Sequence, residues 1–165
     1  MHTTPLGRTG IDISVIGFGG MPLSTDGRPD EKEARRVINA SIDAGVNFID
    51  TADVYCLNDD DIGHNERLIA ATLRERGDHE RIHVATKGGM RRPKGAWTRD
   101  GSPQHLRRAC EASLRALGVE RIFLYQLHAP DDAVPGVEAL DELLCVHLEG
   151  AGDPWVRLEH RRGET

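Results

Sequence analysis

The sequence contains few cysteines and no long apolar run, and each shortage excludes a class of protein. Its three cysteines, Cys56, Cys110 and Cys145, are odd in number and form no Cys-x-x-Cys pair, so neither a disulfide framework nor a zinc site is indicated. No segment approaches the roughly 18 apolar residues of a membrane span, and no basic segment followed by an apolar one opens the chain. We therefore expect a cytoplasmic protein with no membrane partner.

Aromatic residues make up only 4% of the chain, and positively charged residues are fewer than negatively charged ones. The 21 Lys and Arg residues are outnumbered by 27 Asp and Glu, which gives a net charge of -6. A nucleic-acid partner requires a basic face, so the charge balance argues against one. The 38% hydrophobic and 29% charged residues are typical of a soluble globular protein, and 165 residues suffice for one domain with a core.

Three stretches of the chain share one design, in which an apolar run ends in a residue that handles charge or protons. Phe48-Ile49-Asp50 ends in a carboxylate, and the phenol of Tyr55 follows five residues later. Residues 83–87 end in Lys87 and residues 122–128 end in His128. Each run predicts a buried strand with a functional group at its C-terminal end.

Helical patterns separate these strands. Apolar positions recur at helical spacing over residues 30–44, 66–76 and 102–117 and again from Pro135, and glycines follow the first three segments. Before them, residues 3–14 alternate around a Gly-Arg-Thr-Gly turn, which predicts a hairpin. We expect residues 15–20 to form a buried strand that runs into a glycine loop. Two further segments, residues 56–65 and 88–101, are predicted as loops.

This alternation of strands and helices predicts an α/β fold with parallel strands, because helical crossovers join parallel neighbours. The C-terminal ends of such strands open on one side, where sheets and barrels of this class place their chemistry. We therefore expect four side chains to converge on one rim: Asp50, Tyr55, Lys87 and His128. A Rossmann dinucleotide fingerprint is not favoured, since its third glycine would fall at Pro22.

The four residue types suit proton transfer to a carbonyl oxygen. An ammonium beside a phenol makes the phenol a better proton donor, and a carboxylate fixes the ammonium. Tyr55 would then act as the general acid, with Lys87 tuning it and Asp50 anchoring Lys87. His128 could hold the oxygen as negative charge develops there. This set needs no metal, and the electrons would come from another molecule.

Each residue also has an ordinary structural explanation, such as packing for Tyr55 or a solvated edge for Lys87. Two other patterns stay open as alternatives. Asp59 to Asp61 with His64 could indicate the metal site of a hydrolase, although a solvated acidic loop is favoured. A second loop contains residues that could meet a phosphate or remain solvated, and an aromatic residue that could wall a substrate pocket; these are Arg91, Arg92, Lys94 and Trp97.

The chain resembles the aldo-keto reductases, (β/α)8-barrel enzymes that use NADPH to reduce aldehydes and ketones. The resemblance runs from about Thr4 to Leu144. It is carried by Pro5-Leu6-Gly7, Gly17-Phe18-Gly19-Gly20-Met21, the segment from Phe48 to Tyr55, Ala85-Thr86-Lys87, and Leu127-His128-Ala129-Pro130-Asp131.

The resemblance implies a function and a set of site residues. Asp50, Tyr55, Lys87 and His128 would be the catalytic tetrad, and Gly20, Met21 and Asp50 would lie near the NADP(H) cofactor. The partner would be a small-molecule carbonyl substrate. The alternative is a catalytically inactive truncated fragment or a non-enzymatic binding module.

The pattern covers only part of the barrel that the resemblance implies. Such a barrel has eight strands and about 250 residues, whereas four strand–helix units occupy residues 1–144. We therefore expect the N-terminal half of a (β/α)8 TIM barrel with an N-terminal β-hairpin. Its first and fourth strands would be open edges, through which the chain could self-associate.

Residues 145–165 show no strand period and are interpreted as a non-homologous tail. A shift of reading frame near Cys145 would explain this change. Read one base later with freely chosen synonymous codons, residues 149–164 give Lys-Ala-Arg-Val-Ile-Arg-Gly-Phe-Gly-Ser-Asn-Ile-Gly-Val-Glu, which is close to the fifth strand and Gly-x-Ser-Asn type motif that the resemblance implies there. Resequencing the gene tests this hypothesis.

Overall fold

The computed structural model describes residues 1–77 and 79–134. The predicted fourth helix from Pro135 and the predicted tail at residues 145–165 lie outside the described residues. Eight strands are present in the described part: β1 Thr3–Pro5, β2 Asp12–Ser14, β3 Phe18–Gly19, β4 Phe48–Asp50, β5 His83–Gly88, β6 Met90–Arg91, β7 Thr98–Arg99 and β8 Leu124–Leu127.

The N-terminal hairpin is confirmed. β1 pairs antiparallel with β2, and Gly7 and Gly10 adopt positive φ angles of 53° and 75° in the turn between them. Asn47, just before β4, fixes the hairpin to the sheet. Its side-chain Oδ1 accepts from the Ser14 N–H at 2.5 Å, and its own N–H donates to Ser14 Oγ at 3.2 Å.

A four-stranded parallel sheet forms the centre of the fold, in the order β3-β4-β5-β8. Within this sheet the order follows the chain, since β4, β5 and β8 each pair with the preceding strand of the same sheet, while β6 and β7 pair with each other between β5 and β8. Asp50 pairs with Gly19 on one side and with Ala85 on the other. The predicted α/β class with parallel strands is confirmed.

Three α-helices connect the strands in the described part of the chain: α1 Glu31–Asp43, α2 His64–Arg76 and α3 Pro103–Leu117. Asp30 caps α1 by accepting from the N–H of Glu33 at 2.8 Å. Ser102 caps α3 in the same way. α2 begins two residues earlier than predicted, because Gly63 turns the chain with a φ of 78°.

The core lies between α1, α2 and the sheet. Ile38, Ile49 and Ile69 are fully buried there, and each such side chain contributes on the order of 2 kcal/mol by leaving water. The cluster is completed by Leu23, Ala34, Ile42, Leu68 and Leu73. The members of this cluster in α1 and α2 recur at helical spacing, which places them on one face of each helix.

Two predictions are wrong, one about the residues before β3 and one about the residues after β5. Only Phe18 and Gly19 of the expected strand at residues 15–20 pair in the sheet, and Val15 and Ile16 are 54% and 62% exposed. Val15 is instead held by the hairpin, since its N–H donates to the His2 carbonyl at 3.1 Å. The expected loop at residues 88–101 contains the antiparallel pair β6 and β7. Among the described residues, no helix has the length and apolar character needed to cross a membrane.

Candidate active site

Three neighbouring strands end side by side at the C-terminal edge of the sheet. Asp50 is the last residue of β4, Lys87 is the second last of β5, and His128 directly follows β8. The His128 N–H donates to the Gly88 carbonyl at 2.8 Å, which continues the pairing of β5 and β8 by one residue. Parallel pairing therefore brings the three side chains to one rim.

Lys87 is held by three oxygen atoms. Its Nζ lies 2.5 Å from Asp50 Oδ1, donates to the Thr51 carbonyl at 2.8 Å, and donates to Tyr55 Oη at 3.0 Å. Two of the three N–H donors of the ammonium thus have hydrogen-bond acceptors, and the contact with Asp50 is an ion pair. Because the side chain is only 14% exposed, the ammonium is fixed between the carboxylate and the phenol.

Tyr55 is 9% exposed, and its ring packs in a small apolar cluster. The chain reaches it through a turn after β4, in which the Tyr55 N–H donates to the Ala52 carbonyl at 3.3 Å. The Lys87 Nζ lies 4.7 Å from the ring centroid. The cluster includes Ala52, Val54, Ile62 and Met90.

His128 lies against Tyr55 with its ring edge-on, and the two centroids are 5.6 Å apart. Burial lowers the pKa of His128, the charge of Lys87 lowers it further, and Asp50 opposes this change. The ring is therefore neutral at pH 7, with one N–H donor. Its Nδ1 is buried and has no hydrogen-bond partner among the described residues.

The loop after β3 lies at the same rim. The Gly20 N–H donates to the Asp50 carbonyl at 2.8 Å, and the Gly20 carbonyl accepts from Asn65 Nδ2 at 2.8 Å. A Cβ at position 20 would collide with the amide oxygen of Asn65, so glycine is required there. Met21, the next residue, is 44% exposed. The loop thus presents a fixed backbone and an apolar side chain beside Asp50.

Asn65 is a residue of this region that the sequence reasoning missed. Its Oδ1 accepts from Thr51 Oγ1 at 2.6 Å and its Nδ2 also donates to Ser24 Oγ at 2.7 Å. Its side chain is fully buried. The available signal was position, since Asn65 lies one helical turn before the buried Ile69 and so faces the core.

Two buried carboxyl groups lie behind the rim. Asp53 is 3% exposed and Glu66 is 1% exposed. Burial, together with the charge of Glu66, raises the pKa of Asp53 to about 8. Burial also raises the pKa of Glu66, although Thr86 Oγ1 donates to its Oε1 at 2.6 Å and opposes the rise. Asp53 is therefore largely neutral at pH 7. Sequence reasoning assigned neither residue a separate role.

The acidic segment considered as a metal site does not assemble one. Asp61 pairs with Arg28 at 2.6 Å, and Asp59 Oδ1 accepts from the Lys94 N–H at 3.1 Å. The His64 ring lies against a serine hydroxyl instead. Within residues 1–77 and 79–134, no group of three or more His, Cys, Asp or Glu side chains is arranged to hold a metal ion.

The basic loop residues occupy different environments. Arg91 is exposed and lies 3.5 Å from Asp100. Lys94 is exposed, and its backbone has a positive φ of 51°. Arg92, in contrast, is 1% exposed and lies under Trp97, with its Cζ 3.8 Å from the ring centroid. The solvated-loop interpretation is therefore wrong for Arg92, because the aromatic ring covers it.

The residues at the rim fit a nicotinamide cofactor and a carbonyl compound. Met21 offers apolar surface for a flat ring, and the partly exposed Asp50 offers an acceptor for an amide. Tyr55 and the neutral His128 are donors suited to a carbonyl oxygen. These donors require no nucleophile in the protein. The fold and the rim together define an α/β protein with a lysine, a phenol and an imidazole gathered at the C-terminal ends of parallel strands.

Comparison with known proteins identifies the family. The model of the aldo/keto reductase family matches residues 15–151. The 6-dehydroglucose reductase of Novosphingobium aromaticivorans is 39% identical over 128 residues, which are 76% of this chain and 41% of that protein. The chain belongs to the aldo/keto reductase family.

Solved structures show the same relationship. The holo form of aldo-keto reductase AKR11C1 from Bacillus halodurans matches with a TM-score of 0.76 and 34% identity, over 91% of this chain and 47% of that one. The glycerol dehydrogenase AKR11B4 from Gluconobacter oxydans matches with a TM-score of 0.75 and 35% identity, over 90% and 45% of the respective chains. The chain thus spans less than half the length of these relatives. The predicted α/β half-barrel fold is confirmed.

Proposed function

We propose that this chain carries the proton-transfer half of an NADP(H)-dependent carbonyl reductase site that reduces aldehydes or ketones to alcohols. The observation that supports this most is the position of the Lys87 ammonium, in contact with both Asp50 and Tyr55 at the rim. Family membership supports it as well, because aldo-keto reductases are generally nicotinamide-dependent carbonyl reductases.

In this proposal the four rim residues act on the carbonyl oxygen. Tyr55 Oη donates its proton to that oxygen, and the adjacent Lys87 charge stabilises the phenolate that remains. Asp50 holds Lys87 in place. The N–H of the neutral His128 donates a hydrogen bond to the same oxygen as negative charge develops on it. When bound, NADPH supplies the hydride that the carbonyl carbon accepts.

We propose that Gly20, Met21 and Asp50 hold the nicotinamide end of the cofactor. The Gly20 backbone is fixed by hydrogen bonds to both Asp50 and Asn65, so the loop does not need to be ordered on binding. Such pre-organisation reduces the entropy cost of association.

The experiment compares two tyrosine variants in the NADPH-dependent reduction of benzaldehyde. Tyr55→Phe removes the proton donor, and we expect kcat to fall by at least about 100-fold, as for loss of a general acid. Tyr125→Phe is the matched control, because the chain has two tyrosines and the Tyr125 hydroxyl lies against Gly88. An equal rate for Tyr55→Phe and the wild type would exclude the proton-donor role.

The second candidate function is NADP(H) binding without turnover, by an inactive fragment or binding module. The observation that favours it is length, because the chain spans 41% to 47% of the relatives described above. A fluorescence titration with NADPH, run beside the benzaldehyde assay, distinguishes a reductase from a binding module. Saturable NADPH binding by a folded chain that reduces no carbonyl compound would support the binding module.

We also propose a cytoplasmic location and self-association. Cys56 and Cys110 are free and buried, which suits a reducing compartment. β3 and β8 each have one neighbour among the described strands, and an unpaired strand edge can pair with another chain. A second copy of this chain is the partner we propose for these edges.

A further inference from the structure

Arg92 is a buried cation without a negative partner. Its side chain is 1% exposed, and a guanidinium stays charged at every pH at which a protein folds. Nη2 donates to the Leu57 carbonyl at 3.1 Å. Nε and Nη1 have no hydrogen-bond partner, and no ion pair to Arg92 occurs among residues 1–77 and 79–134. Arginine is rarely buried to this extent unless it is paired.

The carboxylates of the nearby segment 59–61 have other partners. Asp61 pairs with Arg28 at 2.6 Å, and Asp59 accepts from the backbone of Lys94. The thiol of Cys56 also lies close to the Arg92 guanidinium. Burial raises the pKa of this thiol to about 11, and the charge and close contact of the Arg92 guanidinium only partly oppose the rise, so the thiol is neutral at pH 7 and supplies no negative charge. No neighbouring group of the described chain therefore neutralises the guanidinium.

Trp97 covers the guanidinium but does not replace an anion. A ring 3.8 Å from Cζ stabilises a cation through its π face. The two N–H donors still lack acceptors, and burial of charge without hydrogen bonds is unfavourable. Trp97 is 44% exposed, so it is the side of this site that faces solvent.

We propose that Arg92 and Trp97 form a binding site for a small oxyanion, a carboxylate or phosphate group. The anion accepts hydrogen bonds from Nε and Nη1 after Trp97 turns away. Leu57, which fixes the guanidinium, is two residues from Tyr55, so the site adjoins the candidate active site. The oxyanion is either part of the carbonyl substrate or a free ion, and the first source rests on the proposed reductase function.

The first experiment measures the fluorescence of Trp97 in a Trp155→Phe background, since the chain has two tryptophans. Sodium phosphate and sodium acetate are titrated at ionic strength held constant with sodium chloride. We expect a saturable change. Arg92→Met should raise the apparent Kd at least about tenfold, the effect of losing charged hydrogen bonds. Arg91→Met, the exposed neighbour on the same hairpin, should change it less than about twofold.

A saturable change that is equal in both variants, or no saturable change at all, would overturn the proposal. Melting temperatures show whether a loss of binding in a variant comes from a folding defect. Phosphate should raise the melting temperature of the wild type and Arg91→Met above the value in chloride, but not that of Arg92→Met or Arg92→Lys. If the increment persists in both Arg92 variants, Arg92 is only a structural residue and the proposal is wrong.

The two sources of the anion are separated by kinetics with two matched aldehydes, benzaldehyde and its para-carboxylate derivative. The KM for the charged aldehyde is divided by the KM for the uncharged one. We expect this ratio to rise about tenfold in Arg92→Met and to stay constant in Arg91→Met if the substrate carries the anion. A constant ratio in both, with phosphate binding still dependent on Arg92, assigns the site to a free ion. A wild type that reduces neither aldehyde counts against the proposed function, while the titration still decides the anion site.

Discussion

Asp53 is a carboxyl group whose environment favours its neutral form. It lies in the turn between β4 and Tyr55, its N–H donates to the Lys87 carbonyl at 3.3 Å, and its side chain is 3% exposed. Its Oδ1 has no hydrogen-bond partner in the described part of the chain. A carboxylate in this position would be desolvated without compensation, so the folded protein retains the proton up to about pH 8.

This proton makes the stability of the protein depend on pH. Between the usual pKa of an aspartate, 3.8, and its folded value of about 8, the folded state binds one proton more than the unfolded state. The free energy of unfolding therefore falls as pH rises through this range, by up to about 1.4 kcal/mol per pH unit. Asp53→Asn is neutral at every pH and should lose this part of the dependence.

Urea unfolding at several pH values between about 5 and 9 measures the effect. The variant should gain stability relative to the wild type as pH rises. Asp26→Asn is the control, since Asp26 is exposed, and its curve should parallel that of the wild type. Histidines with lowered pKa values contribute equally to all three proteins. Parallel curves for Asp53→Asn and the wild type would contradict the assignment.

At the scale of single residues, the sequence predicted the groups that stand at strand ends and missed those that are buried by later contacts. Asp50, Lys87 and His128 are found from the chain because each closes an apolar run. Asn65 and Arg92 follow from no such pattern. The burial of Asn65 depends on Gly20, 45 residues earlier in the chain, and that of Arg92 on the ring of Trp97, which stacks on it across a loop, so composition and period carry little information about either.

The contact between the loop after β3 and the start of α2 fixes the rim. Asn65, the second residue of α2, joins the Gly20 carbonyl, the Ser24 hydroxyl and the Thr51 hydroxyl through its side-chain amide. One side chain thus holds the loop after β3 and the turn after β4 against the start of a helix. The loop contains the residues that we propose for cofactor binding.

Asn65→Ala should destabilise the protein by about 3 kcal/mol, because three buried polar groups lose their partner. It should also raise the apparent Kd for NADPH by more than about tenfold, since the loop must then be ordered on binding. Urea unfolding and a cofactor fluorescence titration measure the two effects. Asn39→Ala, on the half-buried side of α1, is the comparison and should cost less than about 1 kcal/mol.

Binding that weakens equally in both asparagine variants would show that the loop does not depend on Asn65. Unchanged stability of Asn65→Ala would contradict the hydrogen-bond account itself.

Helices were predictable because their apolar period is long and their ends carry Asp30, Ser102 and glycine signals. Short strands could not be predicted from the sequence in the same way. β6 and β7 contain two residues each, too few to display an alternating pattern. Val15 and Ile16 have the composition of a buried strand, yet the hairpin fixes them outside the sheet. Local propensity cannot foresee this, because the competing hydrogen bond comes from residue 2.

The whole molecule has an asymmetric surface. The β3 side of the sheet exposes Val15 and Ile16, whereas exposed large apolar residues elsewhere are more scattered in the described part of the chain. Contiguous exposed apolar residues beside an unpaired strand favour contact with another copy.

We therefore expect the mass measured by sedimentation equilibrium to rise with concentration above that of one 18.2 kDa chain. Ile16→Lys places a charge on this edge and should weaken association by at least about tenfold, since like charges would meet in a symmetric contact. Val119→Lys is the control, because Val119 is 43% exposed and follows α3, away from β3. A constant mass of one chain at all concentrations, or equal effects of the two lysines, would reject this contact.

The strand order β3-β4-β5-β8 has a consequence for synthesis. Within this sheet, β4, β5 and β8 each pair with the sheet strand that was synthesised before it, so each has its partner available when it emerges. The sheet can therefore assemble in the order in which the ribosome releases it, one strand and helix at a time. The hydrogen bonds between Ser14 and Asn47 can then form as soon as β4 emerges. They fix the N-terminal hairpin to the sheet before Lys87 and His128 have been translated.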